Sequence, residues 1–277
     1  MNTFSKSINA NLLIPEEQLF SSNLNKVDIE LTDFTNQFFI QTLFRKDFRL
    51  RVGVQHKRLK IFSDTFNENS FSQEGTTFEK SDYLGVFGAL KFDTYDKRFF
   101  PRKGFLFDGD FQWYLSSTDY NNYFQPFSFA KADIGYALSI TEKIAFKIGS
   151  QGGFRIGNDD TNPYFNFALG GYGNNFINNF IPFFGYDFIA LPGNSFVKGD
   201  MNIDYEIFNK HHLNITANFA NVGEDIFTEN EWFEAPEYSG YALGYGYESF
   251  LGPIEIKYTW SPETNSSIWF FNLGYWF

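Results

Sequence analysis

Apolar and polar residues alternate along this chain with a period of two. Leu213, Ile215, Ala217 and Phe219 are separated by Asn214, Thr216 and Asn218. Ile254, Ile256, Tyr258 and Trp260 are separated by Glu255, Lys257 and Thr259, and Phe48, Leu50, Val52 and Val54 by Arg49, Arg51 and Gly53. This is the side-chain period of a β-strand, and no helical stripe of ten or more residues competes with it. The spacing predicts twelve strands, at about 3–14, 36–45, 47–61, 82–94, 104–117, 127–140, 142–156, 197–208, 211–222, 239–250, 253–260 and 266–277. Most reach the ~10 residues that a tilted strand needs to cross a bilayer, whereas strands of soluble proteins are usually shorter.

The connections alternate as well. Tight turns at 45–47, around Thr141, at 209–210 and at 251–252, with a medium turn at Tyr95–Lys103, lie between longer polar loops at about 15–35, 62–81, 118–126, 157–196 and 223–238. Short turns on one side and long loops on the other predict an all-β fold, a transmembrane antiparallel β-barrel occupying 1–277 as one domain. An even strand number puts both termini on the short-turn side. In such a barrel Arg49, Arg51, Asp108, Asp110, Asp133, Asp204, Glu206, Glu255 and Lys257 point inward, because a charge facing lipid costs ~2–4 kcal/mol at the midplane. Closure leaves no unpaired sheet edge in lipid.

Composition sharpens this picture. The 277 residues include 39 Phe, 16 Tyr and 5 Trp, more rings than a water-soluble core of this size needs. Facing water, the surplus would aggregate; facing lipid, it is at home. Trp113, Trp260, Trp269 and Trp276 fall near strand ends, as an interfacial girdle requires. Without Cys there is no disulfide scaffold and no thiolate metal site. A formal charge of −11 argues against nucleic acid as a partner.

Candidate chemistry is sparse. Gly193-Asn194-Ser195-Phe196-Val197 approaches a nucleophile elbow but lacks its second Gly and sits at a loop-to-strand junction. His211 and His212 are neighbours in a strand and so point to opposite faces, which is a poor start for a metal site. The acidic residues Asp159 and Asp160 in one loop, and Glu224, Asp225, Glu229, Glu231, Glu234 and Glu237 in another, have no calcium-loop spacing and suit solvated external loops, the alternative being divalent-cation contact at the membrane surface. No catalytic residue, metal ligand or cofactor is expected in this chain.

Three local patterns together resemble the barrel of the BamA/TamA-like (bacterial surface antigen) superfamily. Asp93-Thr94-Tyr95-Asp96-Lys97-Arg98-Phe99-Phe100-Pro101-Arg102-Lys103-Gly104 is similar to the family's turn, in which Asp93, Tyr95, Asp96, Arg98, Pro101 and Gly104 carry the match. The stretch Phe184-Gly185-Tyr186 resembles the tip of a lumen-directed loop, here about 157–196, with Phe184 where the family has Arg. Phe219-Ala220-Asn221-Val222-Gly223 resembles a strand motif in which Phe219 and Gly223 match and Asn221 replaces an Asp. The resemblance implies that this Arg and Asp pair inside the barrel. Their joint replacement avoids a buried unpaired charge, and the loop is then expected to be held by aromatic packing and neutral hydrogen bonds.

The closing strand, with Trp269, Phe271, Leu273, Tyr275 and Phe277 on one face, resembles the signal read by the barrel assembly machinery. That strand and Leu169-Gly170-Gly171-Tyr172-Gly173-Asn174-Asn175 look most like barrels fused to patatin-like phospholipases of Bacteroidetes-type bacteria. The resemblance implies sixteen strands, a location in the outer membrane of a Gram-negative bacterium with both termini periplasmic, and contact with outer-membrane lipid and lipopolysaccharide. The chain is therefore expected to be the C-terminal part of a longer protein. Its expected role is a barrel that anchors or serves a periplasmic, patatin-like domain; the alternative is a pore for protein assembly or translocation.

Overall fold

A computed structural model describes residues 2–8, 27–63, 76–157, 163–173 and 179–274. Twelve strands form one sheet: β1 (Asn2–Ile8), β2 (Val27–Phe44), β3 (Phe48–Ser63), β4 (Thr76–Asp93), β5 (Gly104–Ser117), β6 (Phe127–Ser139), β7 (Ile144–Ile156), β11 (Ser195–Phe208), β12 (His211–Gly223), β13 (Tyr238–Ser249), β14 (Gly252–Ser261) and β15 (Ser266–Leu273). Each pairs antiparallel with its neighbour in this order. Between β7 and β11 lie a 3-10 turn at Pro163–Phe165 and three short strands, β8 (Phe167–Leu169), β9 (Phe180–Ile181) and β10 (Leu191–Gly193), in a second small sheet ordered β10-β8-β9. Among the described residues no ladder joins β1 to β15.

The alternation does what the sequence requires of it. Along β12, His212, Asn214, Thr216 and Asn218 are buried while Leu213 and Ile215 are exposed. Phe38, Ile40, Val54, Leu84, Ile134, Ile203, Leu243 and Phe271 continue this exposed apolar belt around the sheet. Tyr241 stacks on Trp260 at 5.7 Å, and Tyr258 meets Trp269 at 5.0 Å, so aromatic side chains join β13, β14 and β15 across their ladders on the outward face.

Two expected loops are shorter than the sequence suggests. Residues 27–35 and 76–81 continue strands β2 and β4. Their polar composition misleads, because the strands run past the lipid belt and their inward side chains find protein. Leu31, Leu59 and Ile61 are fully buried, and Lys57 Nζ donates to Asp33 Oδ2 at 2.8 Å. The connection 262–265, on the long-loop side, is by contrast a tight turn.

Candidate functional site: the barrel interior

Two segments fold onto the concave face of the sheet from opposite ends. The first, described over 163–173 and 179–193, enters from the long-loop end. Its core is aromatic: Phe165 lies 5.0 Å from Tyr83, 5.2 Å from Tyr114 and 4.7 Å from Phe127. Phe167 packs on Phe196 at 4.9 Å, and Phe183 on Tyr186 at 5.4 Å. Among its described residues no buried side-chain polar atom lacks a partner. Tyr164 Oη donates to Asp33, which also holds Lys57, and Asn179 Nδ2 donates to the carbonyls of Tyr164 and Asn166 at 2.5 and 2.6 Å.

The loop tip sits on β12, β13 and β14. The Phe184 amide donates to Asn218 Oδ1 at 2.9 Å. The Phe184 ring lies 5.6 Å from Tyr172, and Lys257 Nζ lies 5.5 Å from the Phe184 ring centre and 5.1 Å from that of Tyr172. Tyr172 Oη donates to Glu255 Oε2 at 2.6 Å, and Lys257 donates to Asn214 Oδ1 at 3.1 Å. Gly185 has φ +82°, and a Cβ there would stand 2.5 Å from the Trp260 carbonyl oxygen, so this position demands glycine on two counts. Tyr186 Oη donates to Glu263 Oε2 at 3.4 Å. Burial would raise the Glu263 pKa, but hydroxyl donors, Ser261 and Ser239 first, hold it below the ordinary carboxylate value.

The second segment is the β4–β5 turn, 94–103, at the short-turn end. Asp96 organises it: its Oδ1 accepts from the backbone N–H groups of Arg102 and Lys103 at 2.9 and 3.1 Å. Burial works against the charge, yet these amides outweigh it and lower the Asp96 pKa. Asp93 Oδ1 accepts from the Tyr95 amide at 3.1 Å, and Gly104, at φ +118°, closes the turn where a Cβ would meet the Thr94 carbonyl at 2.3 Å. Tyr95 projects over Gly135, where a Cβ would lie 2.2 Å from its hydroxyl oxygen, and burial raises its pKa.

Ion pairs carry this turn across to the opposite wall. Arg102 Nη1 reaches Glu206 Oε2 at 3.2 Å, and its Nη2 donates to the carbonyls of Thr141 and Glu142. Lys97 Nζ pairs with Glu248 Oε1 at 2.9 Å. Phe100 stacks face to face on fully buried His212, with ring centres 4.1 Å apart, and His212 Nδ1 donates to Asp204 Oδ2 at 2.8 Å.

Between the two segments lies a chamber of about 400 Å³. Tyr172, Pro182 and Phe184 bound it on the loop side, Arg98, Phe99, Phe100 and Pro101 on the turn side, and Asp133, Lys147, Lys198, Asp200, Asp204, Glu255 and Lys257 on the wall. Asp204 Oδ1 and Asn218 Nδ2 are buried without a hydrogen-bond partner among the described residues, and both residues line this chamber. Acids and bases both line it, so it suits water and small polar solutes rather than apolar ones.

Some sequence-selected residues meet here and others do not. Phe184, Gly185 and Tyr186 converge on the wall. Phe219, Asn221 and Gly223 do not meet them: they share the face of β12 opposite to Asn218. Asn221 instead fastens the β12–β13 connection, donating to the Glu231 carbonyl at 2.9 Å and accepting from the Glu237 amide at 2.7 Å. The tip's partner is Asn218, and the strand period shows why, since Asn221 is an odd number of residues from it. In the turn, Arg102 reaches across to Glu206, and the Arg98 guanidinium lies 5.5 Å over the Phe99 ring. Pro101 is half-buried beside Phe100. Ser195 is structural: its Oγ accepts from the Ile226 amide at 3.1 Å and donates to the Gly223 carbonyl at 3.2 Å. In the closing strand Trp269, Phe271 and Leu273 are exposed on one face, while Tyr275 and Phe277 lie outside the described residues, as do Trp276, Asn174, Asn175, Asp159 and Asp160.

Sequential antiparallel strands, an outward apolar belt and a polar, charged interior define an outer-membrane β-barrel. The model of the OMP85 superfamily matches residues 1–277, and the chain belongs to that superfamily. The crystal structure of BamA from Haemophilus ducreyi lacking POTRA domains 1-3 superposes with a TM-score of 0.63 at 8% sequence identity, over 93% of this chain and 54% of that one. The chain thus spans about half the length of that structure. No curated protein matches.

Proposed function

We propose that this barrel is a stoppered outer-membrane module that anchors or serves a periplasmic domain and performs no catalysis of its own. The observation that carries the reading is the double closure of the interior: the segment 163–193 and the turn 94–103 both reach across to the far wall, with the 400 Å³ chamber between them. A barrel filled from both ends suits an anchor better than a free channel. On this reading the short-turn end, with both termini, faces the periplasm, and the outward belt meets membrane lipid and lipopolysaccharide. Trp269, Phe271, Leu273, Tyr275 and Phe277 serve as the signal to the assembly machinery. A patatin-like phospholipase as the periplasmic domain rests on the likeness of 169–175 and the closing strand to such proteins. The test is the mass of the native polypeptide in outer-membrane fractions, detected with an antibody to 266–277. A band well above 32.2 kDa, carrying lipid acyl-hydrolase activity, is expected; a heat-shifting band at 32.2 kDa would overturn the anchoring role.

A second reading, an assembly or translocation pore, draws on the cation Lys257 held against the tip rings Phe184 and Tyr172. It requires the loop to leave the lumen. Steady ion conductance by the unmodified protein in planar bilayers would favour it.

A further inference from the structure

The outward face of β2–β5 carries a feature that neither stopper uses. Phe38, Val54, Leu84, Val86 and Leu115 line a groove of about 490 Å³, next to the point where the β4–β5 ladder slips register between Leu84 and Gly85. Asn36 and His56 also line it. Arg58 and Lys60 follow His56 on the same face of β3, towards the long-loop end, and Lys60 is the direct ladder partner of Lys80 on β4. Like charges placed directly across a ladder repel each other. Among the described residues neither ammonium has a salt bridge: on the β4 side Asp82 is taken by Arg58 at 2.9 Å and by His56 at 2.8 Å, and on the β2 side Glu30, the ladder partner of Phe62, forms no ion pair with either lysine. Lys60 Nζ lies 4.8 Å over the Phe62 ring, a contact that leaves its other donor directions open.

A repelling lysine pair beside an arginine, set directly above an apolar groove on a lipid-facing wall, matches an amphiphile with an anionic head and an apolar tail. We propose that Arg58, Lys60 and Lys80, with the groove below them, bind a phosphorylated glycolipid of the outer leaflet. Its phosphates meet Lys60 and Lys80, with Arg58 shared between them and Asp82, and an acyl chain lies along Val54 and Leu84. The inference rests on the reading above that the long-loop end faces outward, which is what selects a glycolipid over an inner-leaflet phospholipid.

The experiment uses the protein extracted intact from outer membranes in mild detergent, titrated with bisphosphorylated lipid A and, separately, with phosphatidylglycerol, and followed by native mass spectrometry. Binding of one lipid A is expected, with Lys60→Gln/Lys80→Gln weakening it about tenfold or more. Leu84→Trp, which fills the groove without changing charge, is expected to weaken it too. Equal binding by the double variant, or phosphatidylglycerol bound as tightly as lipid A, would overturn the site. A double variant that no longer shifts on heating is misfolded, and Leu84→Trp then decides: undiminished lipid A binding defeats the proposal. Failure of the wild-type protein to shift on heating would instead defeat the outer-membrane reading itself, so the two failures are separable.

Discussion

The segment 163–193 and the turn 94–103 enter the same barrel from opposite ends and are held by different physics. The loop buries rings: Phe165, Phe167, Phe180 and Phe183 are all nearly inaccessible, and its polar atoms are tied to one another or to the wall. The turn buries little apart from Phe100 and instead throws charged side chains across the mouth, Arg102 to Glu206 and Lys97 to Glu248. Apolar burial is indifferent to salt and strong per residue, whereas ion pairs that keep some contact with solvent are weaker and partly screened. The loop is therefore packed as part of the core, and the turn is a latch whose hold depends on the solution at its own end.

That contrast can be broken or sharpened by substitution. The largest effect is expected for Phe165→Ala, which empties the centre of the ring cluster and should cost about 3–5 kcal/mol, read as a lower unfolding temperature together with new protease cleavage within 163–193. Lys57→Met comes next: it strands the Asp33 carboxylate, 6% exposed, beside Tyr164 and should cost about 3 kcal/mol in denaturant unfolding. Phe184→Ala removes the tip's ring contact with Tyr172 and its contact with Lys257, with an expected loss of about 2 kcal/mol and faster proteolysis of the tip. Unchanged values on both measures would mean that the tip is held by Asn218 and Glu263 alone.

Smaller effects belong to the turn. Arg102→Gln should loosen it by about 1–2 kcal/mol, seen as faster hydrogen exchange at 94–103 while 163–193 stays protected. Molar salt should imitate this variant in the wild type and leave the loop unchanged. The mildest change is with acid. The folded-state pKa of Asp96 is depressed from 3.8, so its contribution is complete above that value and is lost as pH falls through the lowered one. Exchange at the Arg102 and Lys103 amides should therefore rise only below about pH 4, and Asp96→Asn should remove the pH dependence.

The fold was legible because strand period and connection length are local properties. All twelve strands of the large sheet have a counterpart where the alternation predicts one, the predicted 9–14 and 275–277 lying outside the described residues, and β5, β12 and β14 agree to within a few residues. The missed extensions of β2 and β4 were polar for a reason the local sequence does not contain: Asp33 and Lys57 pair with each other and with Tyr164, more than a hundred residues away. The interior was read less well. Nothing in the sequence marks Arg102 as the residue that reaches Glu206, and only the folded turn shows it. Asn218 and Asn221 are equally polar, and only their parity relative to the buried face of β12 separates them, a signal that counting along the strand from Asn214 would have supplied.

By itself the sequence determined the class of this protein. An apolar belt on alternate residues of a dozen long strands has one stable arrangement in a lipid solvent, because every backbone group must find its partner within a sheet. The tertiary structure alone decided what fills the barrel. Contacts such as Phe184 with Asn218, Tyr164 with Asp33 and Phe100 with His212 join residues far apart in the chain. Which side chains meet across a lumen depends on the curl of the whole sheet, and no local pattern of polar and apolar residues encodes that.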